Sequence, residues 1–509
     1  MPTYLDRLII GAMSITKVIL FGTIFCIYII AGVLFATLTP HWQAPDEPAH
    51  YNYIRYLATE KRFPELVAGC YNEAYLAELK SRKFPADLSI GDICYEFHQP
   101  PLYYLLATPI YWAGDGSLVI LRLLSVVFGA GIMVFAFLIA QTIFPNTLSI
   151  ALGTMAFVAF VPMHIAILAS VNNDSLAELI LAALLFLFVR TLFVKGQLSI
   201  KYSVLMGVLL GLGLLTKTTV YIAVPLVIIM MGLRGLIEMK MLGSVGFLRL
   251  VTDRLLHHVG IIYIVALLIA LPWFGRNAFL YGDADILGLK RHDAIVVGQL
   301  RTAEMITEVG YGVYLNNFIN TTFRSFWGQF GWMAVPMDNR VYLFLTVLTC
   351  IALGGGIAYA WKVFSSQTPL EQRSAVMLMA SVIVLMFMAY SWYNLTFVQF
   401  QGRYLFPSLI PLGFFFALGL HEVFRQQWGW GLAAALAIVL LWIIISTGFQ
   451  GGIDKWAALI LGLAFLLVVS RQVLSRYWTV LTVLLLVLCY AGLGFLTLIA
   501  PFWFVIPYL

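Results

Sequence analysis

Apolar runs of roughly 16–25 residues, the length needed to cross a bilayer, follow one another along nearly the whole chain, and no other feature restricts its fold so strongly. They fall near 18–38, 118–143, 147–169, 174–194, 201–216, 218–234, 259–276, 340–362, 374–393, 404–421, 429–447, 455–471 and 477–499, thirteen in all. The chain is 62% hydrophobic and 11% charged, a balance no soluble domain has. It reads as an all-α, polytopic transmembrane protein with about 13 helices in a single domain over 1–509. The polar lead (Asp6, Arg7, Lys17) runs into a full-length span with no small-residue cleavage site, so the first helix reads as uncleaved. The net charge of +6 is modest and its cations are spread along the loops, which excludes a nucleic-acid footprint.

The short connections are polarised. Arg7 with Lys17, then Arg190, Lys195 and Lys201, then Arg234, Lys240, Arg249 and Arg254 alternate with nearly uncharged turns, as do Lys362 with Arg373, Arg425, and Arg471 with Arg476. By the positive-inside rule these are cytoplasmic, which places the N-terminus inside and the C-terminus outside. The two long segments, 39–117 and 277–339, then fall on the outer side, where long loops are exempt from the rule. Residues 100–113 are apolar but short, and their aromatic content suits an interfacial or re-entrant helix on the outer face; as a full span they would invert every later helix. The segment 277–339 is expected to lie over the site, partly helical and partly mobile, with Lys290, Arg291, Asp293 and Arg301 beside apolar Ile295 and Val297 in a surface-lying helix.

Cys26, Cys350 and Cys489 fall inside apolar spans and act as small hydrophobes. Cys70 and Cys94 share the loop 39–117; outside the cytoplasm a disulfide is their natural reading, with two idle thiols as the alternative.

Chemistry-bearing groups gather on the outer face. Asp46 and Glu47, fenced by Pro45 and Pro48, follow the first span, and carboxylates held at a membrane surface read as functional. Glu96, His98 and Gln99 precede Pro100 and Pro101, and Asn172, Asn173 and Asp174 form the turn after the third run. Lys217 lies between the fifth and sixth runs, Arg276 ends the seventh, and Gln401, Gly402, Arg403 and Tyr404 open the tenth. Each has a plainer alternative: an Asx turn for Asp174, headgroup contact for Lys217, Arg276 and Arg403, packing on an aromatic surface for His50. Trp273, Trp327, Trp332 and Trp392 sit near outer interfaces, where membrane belts explain aromatics more often than sugar stacking does.

The run Pro45-Asp46-Glu47-Pro48-Ala49-His50 resembles the acidic motif of GT-C-fold membrane glycosyltransferases, and His98-Gln99-Pro100-Pro101-Leu102-Tyr103-Tyr104 looks like a second motif of that superfamily. Within it the chain is similar to protein O-mannosyltransferases and to the lipid A aminoarabinose transferase. Asn172-Asn173-Asp174-Ser175, 211–217 (GLGLLTK) and 401–407 (QGRYLFP) look like an uncharacterised bacterial branch. Gln99 stands where the aminoarabinose transferase carries a lysine thought to hold lipid phosphate.

The resemblance implies transfer of a sugar from a polyprenyl-phosphate-linked donor to a glycan, lipid or protein acceptor, at the outer face of a bacterial inner (plasma) membrane. It makes Asp46 the general base, with Glu47 orienting it or binding a divalent metal ion, and Asp174 a further oxygen ligand for that ion or for acceptor hydroxyls. Asn173, His98, Gln99, Lys217, Arg276, Arg403 and Tyr404 are the remaining candidate substrate contacts, the cations among them positioned to stabilise a phosphate leaving group. A polysaccharide polymerase or ligase and a lipid-linked sugar transporter are the rival readings.

Overall fold

The computed structural model of the protein describes residues 15–242, 247–365, 368–424, 429–449, 455–474 and 478–509. Of the cationic residues that orient the chain, Arg7, Arg425 and Arg476 lie outside the described residues. The architecture is helical, with a single two-stranded hairpin, Gln329–Phe330 paired antiparallel with Val335–Pro336, among those residues.

Ten described helices are long and apolar enough to cross a membrane, or eleven if a bent pair counts as one. Two of the thirteen expected runs differ from a single straight span. The run near 201–216 forms a shorter apolar helix, Ile200–Leu214, whereas the run near 429–447 is the 21-residue helix Gly429–Phe449. Ile200–Leu214, at 15 residues, rises only about 22 Å, less than a hydrocarbon core. The run near 147–169 is two helices, Leu148–Ala159 and Pro162–Leu168, that meet at 63°. Pro162 forces the break: it cannot donate to the preceding turn, and it pushes Val161 into extended backbone at φ −84°, ψ 108°.

Small residues let the helices close up. A Cβ on Gly207 would meet the Ile262 carbonyl oxygen at 2.8 Å, and one on Gly211 the Ala266 carbonyl oxygen at 3.0 Å. The 211–217 motif thus begins as a close-packing stripe between Ile200–Leu214 and the 35-residue helix Phe247–Tyr281, the small-xxx-small device of membrane helices.

The loop 39–117 is itself ordered, as helices Glu47–Glu60, Glu73–Ser81 and Leu102–Ala113 with a 3-10 turn at Tyr95–His98. Leu102–Ala113 has 12 residues, about 18 Å of helix, and packs against Glu47–Glu60 and Leu118–Ile143. Cys70 and Cys94 are joined in a disulfide. In the segment 277–339, Phe247–Tyr281 runs into its start, followed by helices Leu289–Ile295, Thr302–Val309 and Tyr311–Trp327 and the hairpin. Arg301 caps Thr302–Val309 and so lies beyond the short helix that carries Lys290, Arg291 and Asp293.

The bridge closes a loop with a sequence separation of 24 residues, and constraining the unfolded chain over that length is expected to stabilise by about 3 kcal/mol. Cys70→Ser should therefore melt lower in detergent than the parent, and the unreduced parent should gain two protons in intact mass on reduction. Equal melting temperatures would show that the loop is held without the bond.

Candidate functional site

The chain leaving the first span is held by one buried cation. Arg122, 1% exposed on Leu118–Ile143, donates through Nε and Nη2 to the two Glu47 oxygens at 2.8 and 2.7 Å. Its remaining donors reach the carbonyls of Ala36, Thr39 and Pro40 at 3.0, 2.7 and 3.1 Å. Every guanidinium N–H has a partner, and Val171 N–H adds a further contact to Glu47 at 3.1 Å. Glu47, 0% exposed, is thus a structural anion. This corrects its expected place beside Asp46 as orienting group or metal ligand: it is fully buried and both of its oxygens are engaged inside the fold.

Asp46 points elsewhere because its backbone is left-handed, φ 65° and ψ −4°, a conformation Asp tolerates better than most residues. Its carbonyl oxygen accepts from the N–H groups of Ala49 and His50, both at 3.1 Å, and Pro48 takes a first-turn position where no donor is needed. The two neighbouring carboxylates consequently diverge. Asp46 Oδ1 accepts from the Tyr95 hydroxyl at 2.8 Å and Oδ2 from Arg403 Nη2 at 2.6 Å. Burial pushes the Asp46 carboxyl up, but the charges of Arg403 and His50 and the two hydrogen bonds outweigh it and hold the group down at about 2. Burial and the Asp46 charge raise the Tyr95 hydroxyl far above its ordinary value, so it remains a donor.

Arg403 begins a 3-10 turn, Gly402–Ser408, that leads into helix Leu409–Val423. Gly402 answers a need for space there: a Cβ would sit 2.3 Å from Phe326 N and 2.4 Å from the Thr322 carbonyl oxygen. Ser325 Oγ accepts the Gly402 N–H at 2.8 Å, so the turn is docked on helix Tyr311–Trp327. Arg403 Nε donates to Gln401 Oε1 at 2.7 Å, leaving Nη1 as the guanidinium edge without a protein partner among the described residues.

Asp46, Arg403 and Tyr404 share a cavity of about 350 Å³. Tyr95 and Glu96 line it from the end of the first loop, Glu73 and Lys80 from the helix within that loop. His292, Gln299 and Trp332 come from the segment 277–339, and Gln399 and Gln401 from the turn before Arg403. Trp332 and Met333 both have positive φ, 52° and 68°, and the Trp332 indole N–H donates to the Trp42 carbonyl oxygen at 2.9 Å. The hairpin tip is therefore tied to the acidic loop, in backbone conformations that cluster at functional sites.

The other expected residues divide into three groups. Lys217 Nζ contacts Asp174 Oδ1 at 2.6 Å, an ion pair outside the cavity wall yet within electrostatic reach of His50, and through Asp174 of Arg403. Asn173 Nδ2 donates to Gln99 Oε1 and to the Thr216 carbonyl oxygen, each at 3.3 Å, so the buried Asn173 ties Gln99 to the residue before Lys217. His98 is buried, Nδ1 3.0 Å from the Tyr95 carbonyl oxygen and its ring centroid 4.6 Å from that of His292; burial and His292 push it down to about 3. Arg276, expected at the phosphate, instead stacks 4.7 Å from the Trp273 ring and donates to the Pro64 carbonyl oxygen at 2.7 Å. It ties the first loop to helix Phe247–Tyr281, away from the cavity. Among the tryptophans, Trp327 is buried in the core and Trp392 is exposed, while Trp332 lines the cavity.

Missed were Arg122 and Tyr95. Glu96 lines the cavity with no ion-pair partner among the described residues, and its Oε2 is buried without a donor. A divalent ion does not fit this donor set. Glu47 is buried and paired with Arg122, Asp46 is paired with Arg403 and Asp174 with Lys217, and no group of three or more metal-ligating side chains occurs among the described residues.

Residues 96–412 match the family described as Predicted membrane protein (DUF2142). The chain belongs to that family. No functionally curated protein matches it. Among solved structures it is similar to ArnT from Cupriavidus metallidurans in the apo state, at 15% identity and TM-score 0.52, over 95% of this chain and 76% of that one. The same protein bound to undecaprenyl phosphate gives 14% identity and TM-score 0.50, over 96% and 78%. The apo oligosaccharyltransferase of Archaeoglobus fulgidus gives 14% and 0.46, over 91% of this chain and 55% of that one. The fold of this DUF2142 chain is GT-C.

Two outcomes follow for stability. Glu47→Gln strands a buried guanidinium and should cost about 3–5 kcal/mol, read as a fall in melting temperature; a small loss would mean water reaches Arg122. The Asp46 carboxyl is held at about 2 in the fold against an ordinary 3.8, so its contribution is present above 3.8 and is lost as pH falls toward 2. Asp46→Asn should flatten that part of an acid-unfolding curve, and an unchanged curve would mean the pair adds nothing.

Proposed function

We propose that this protein is a glycosyltransferase that moves a sugar from a polyprenyl-phosphate-linked donor to an acceptor on the non-cytoplasmic face of the plasma membrane. One observation carries the reading: the turn that places Arg403 and Tyr404 in a polar cavity, with the guanidinium on a carboxylate, presents its next residue, Leu405, to an apolar groove. Leu405, two residues after Arg403, lines that groove of about 630 Å³ with Phe318, Phe326, Leu412 and Phe415. A phosphate on a prenyl chain has both needs, a cation at one end and a lipid-like wall behind it. That ArnT has been seen with undecaprenyl phosphate supports the same ligand class here.

In this reading Arg403 takes the donor phosphate, and Tyr404 with the amides of Gln399 and Gln401 faces the sugar. The acceptor hydroxyl attacks the anomeric carbon as the bond from that carbon to the phosphate oxygen breaks, and the electron pair leaves on the phosphate. The acceptor proton passes to Asp46. Arg403 offsets the charge gathering on the leaving group. Lys217, paired to Asp174, adds positive potential behind the site without touching the cavity.

The broken span Leu148–Leu168 is the one feature a transporter would share. Two carbonyls at its break are already engaged by side chains, however: Thr497 Oγ1 donates to the Phe160 carbonyl oxygen at 2.8 Å, and His164 Nδ1 lies 3.0 Å from that of Val158. Those two carbonyls are not free to hold an ion, which favours the enzyme.

Purified protein supplied with synthetic polyprenyl-phosphate monosaccharides should release polyprenyl phosphate and glycosylate an acceptor from the cell envelope. Asp46→Asn should lower turnover by roughly 10²–10⁴-fold. Near-normal turnover in a folded Asp46→Asn protein would remove Asp46 from the chemistry, and donor turnover by no sugar tested would remove the function.

A further inference from the structure

Resting on that reading, we infer that Asp46 is held inactive by Arg403 until the donor phosphate arrives, so that donor binding itself releases the base. Both Asp46 oxygens are occupied: Oδ1 by the Tyr95 hydroxyl at 2.8 Å and Oδ2 by Arg403 Nη2 at 2.6 Å. A carboxylate in that state has one of the acceptor sites on each oxygen taken. It is also a poor base, because the guanidinium stabilises its charged form.

The guanidinium is shared and cannot serve two anions equally. Gln401 takes Nε, Asp46 takes Nη2, and Nη1 has no protein partner among the described residues. A phosphate that binds Arg403 through two parallel N–H groups uses the Nη1–Nη2 edge. It then stands next to Asp46 Oδ2, and one positive charge faces two anions. Two effects follow at Asp46: its share of the cation falls, and a like charge comes close. Both favour the protonated carboxyl, so the group becomes the stronger base when the leaving group is in place. Tyr95 does not compete for phosphate, and its hydrogen bond keeps Oδ1 fixed while Oδ2 turns free. Without donor, the pair keeps the base weak toward water and stray hydroxyls.

Linkage makes the inference testable without turnover. If phosphate weakens the hold of Arg403 on Asp46, then the Asp46 charge must weaken phosphate binding by the same factor. Removing that charge disables the base and yet should improve donor binding. The probe is a polyprenyl phosphate without sugar, titrated at neutral pH and fixed salt into detergent-solubilised full-length protein, its parent compared with Asp46→Asn, Asp46→Ala and Arg403→Ala. The expected result is binding at least about fivefold tighter for Asp46→Asn, the lower end of typical coupling between sites. Asp46→Ala should behave likewise and serves if the Asn variant does not fold. Equal or weaker binding by the Asp46 variants, with binding abolished in Arg403→Ala, would overturn the release mechanism while leaving the donor site standing. Parent protein that does not bind the probe, or binding that survives Arg403→Ala, would overturn the donor site and this inference together.

Discussion

The buried pair of Arg122 and Glu47 fixes everything at the mouth of the first span. A guanidinium placed among apolar helices is costly unless each N–H finds an acceptor, and here three of its five acceptor contacts are main-chain carbonyls of the span end and the turn after it. Those carbonyls belong to the last turn of Ile15–Leu38 and to residues 39 and 40, groups a helix end leaves open. One side chain therefore terminates the first helix and starts the next through Glu47. With both ends set, Asp46, the last residue before the second helix, takes left-handed backbone and lines the cavity.

Charge balance is the second constraint. Each of the three carboxylates Asp46, Glu47 and Asp174 meets a cation from a helix distant in sequence: Arg403, Arg122 and Lys217. Such pairs suit a site whose ligand brings its own negative charge. A resident divalent ion would have to displace an arginine or a lysine to find oxygen ligands, whereas a phosphate needs only to share a guanidinium. Glu96, without such a cation, is the exception, and it lies on the cavity wall nearest the first loop.

Much of the fold was legible because bilayer-length apolar runs admit few structures: all thirteen runs are helical, and what needed revision was their continuity and length. Asp46 and Arg403 were legible as polar residues at span ends, and the structure brings them into contact. Their neighbours were harder to read. Arg122 begins a span and so looks like a headgroup contact; an arginine five residues into a 26-residue apolar helix was nonetheless a signal of a buried partner. Arg276 and Arg403 look alike in sequence, each at a span end, and only tertiary packing sends one onto Trp273 and the other to Asp46. The need for glycine at 402 is set by the backbone of a helix about 80 residues earlier, which no local pattern records.

The Arg403 turn is also supported from below, which bears on how far its side chain can move. Phe406, in the same 3-10 turn, packs edge-on against the His164 ring at 5.1 Å, and His164 Nε2 lies 2.8 Å from Glu178 Oε2. Glu178 stands one helical turn beneath Asp174 on Asp174–Phe193. The break at Pro162 is what brings His164 under that turn, since an unbroken helix would carry it along the bundle axis instead. The backbone of 402–408 is thereby clamped between helix Tyr311–Trp327 above and the His164–Glu178 pair below. Exchange of Arg403 between carboxylate and phosphate is then a matter of side-chain torsions and needs no movement of the helices.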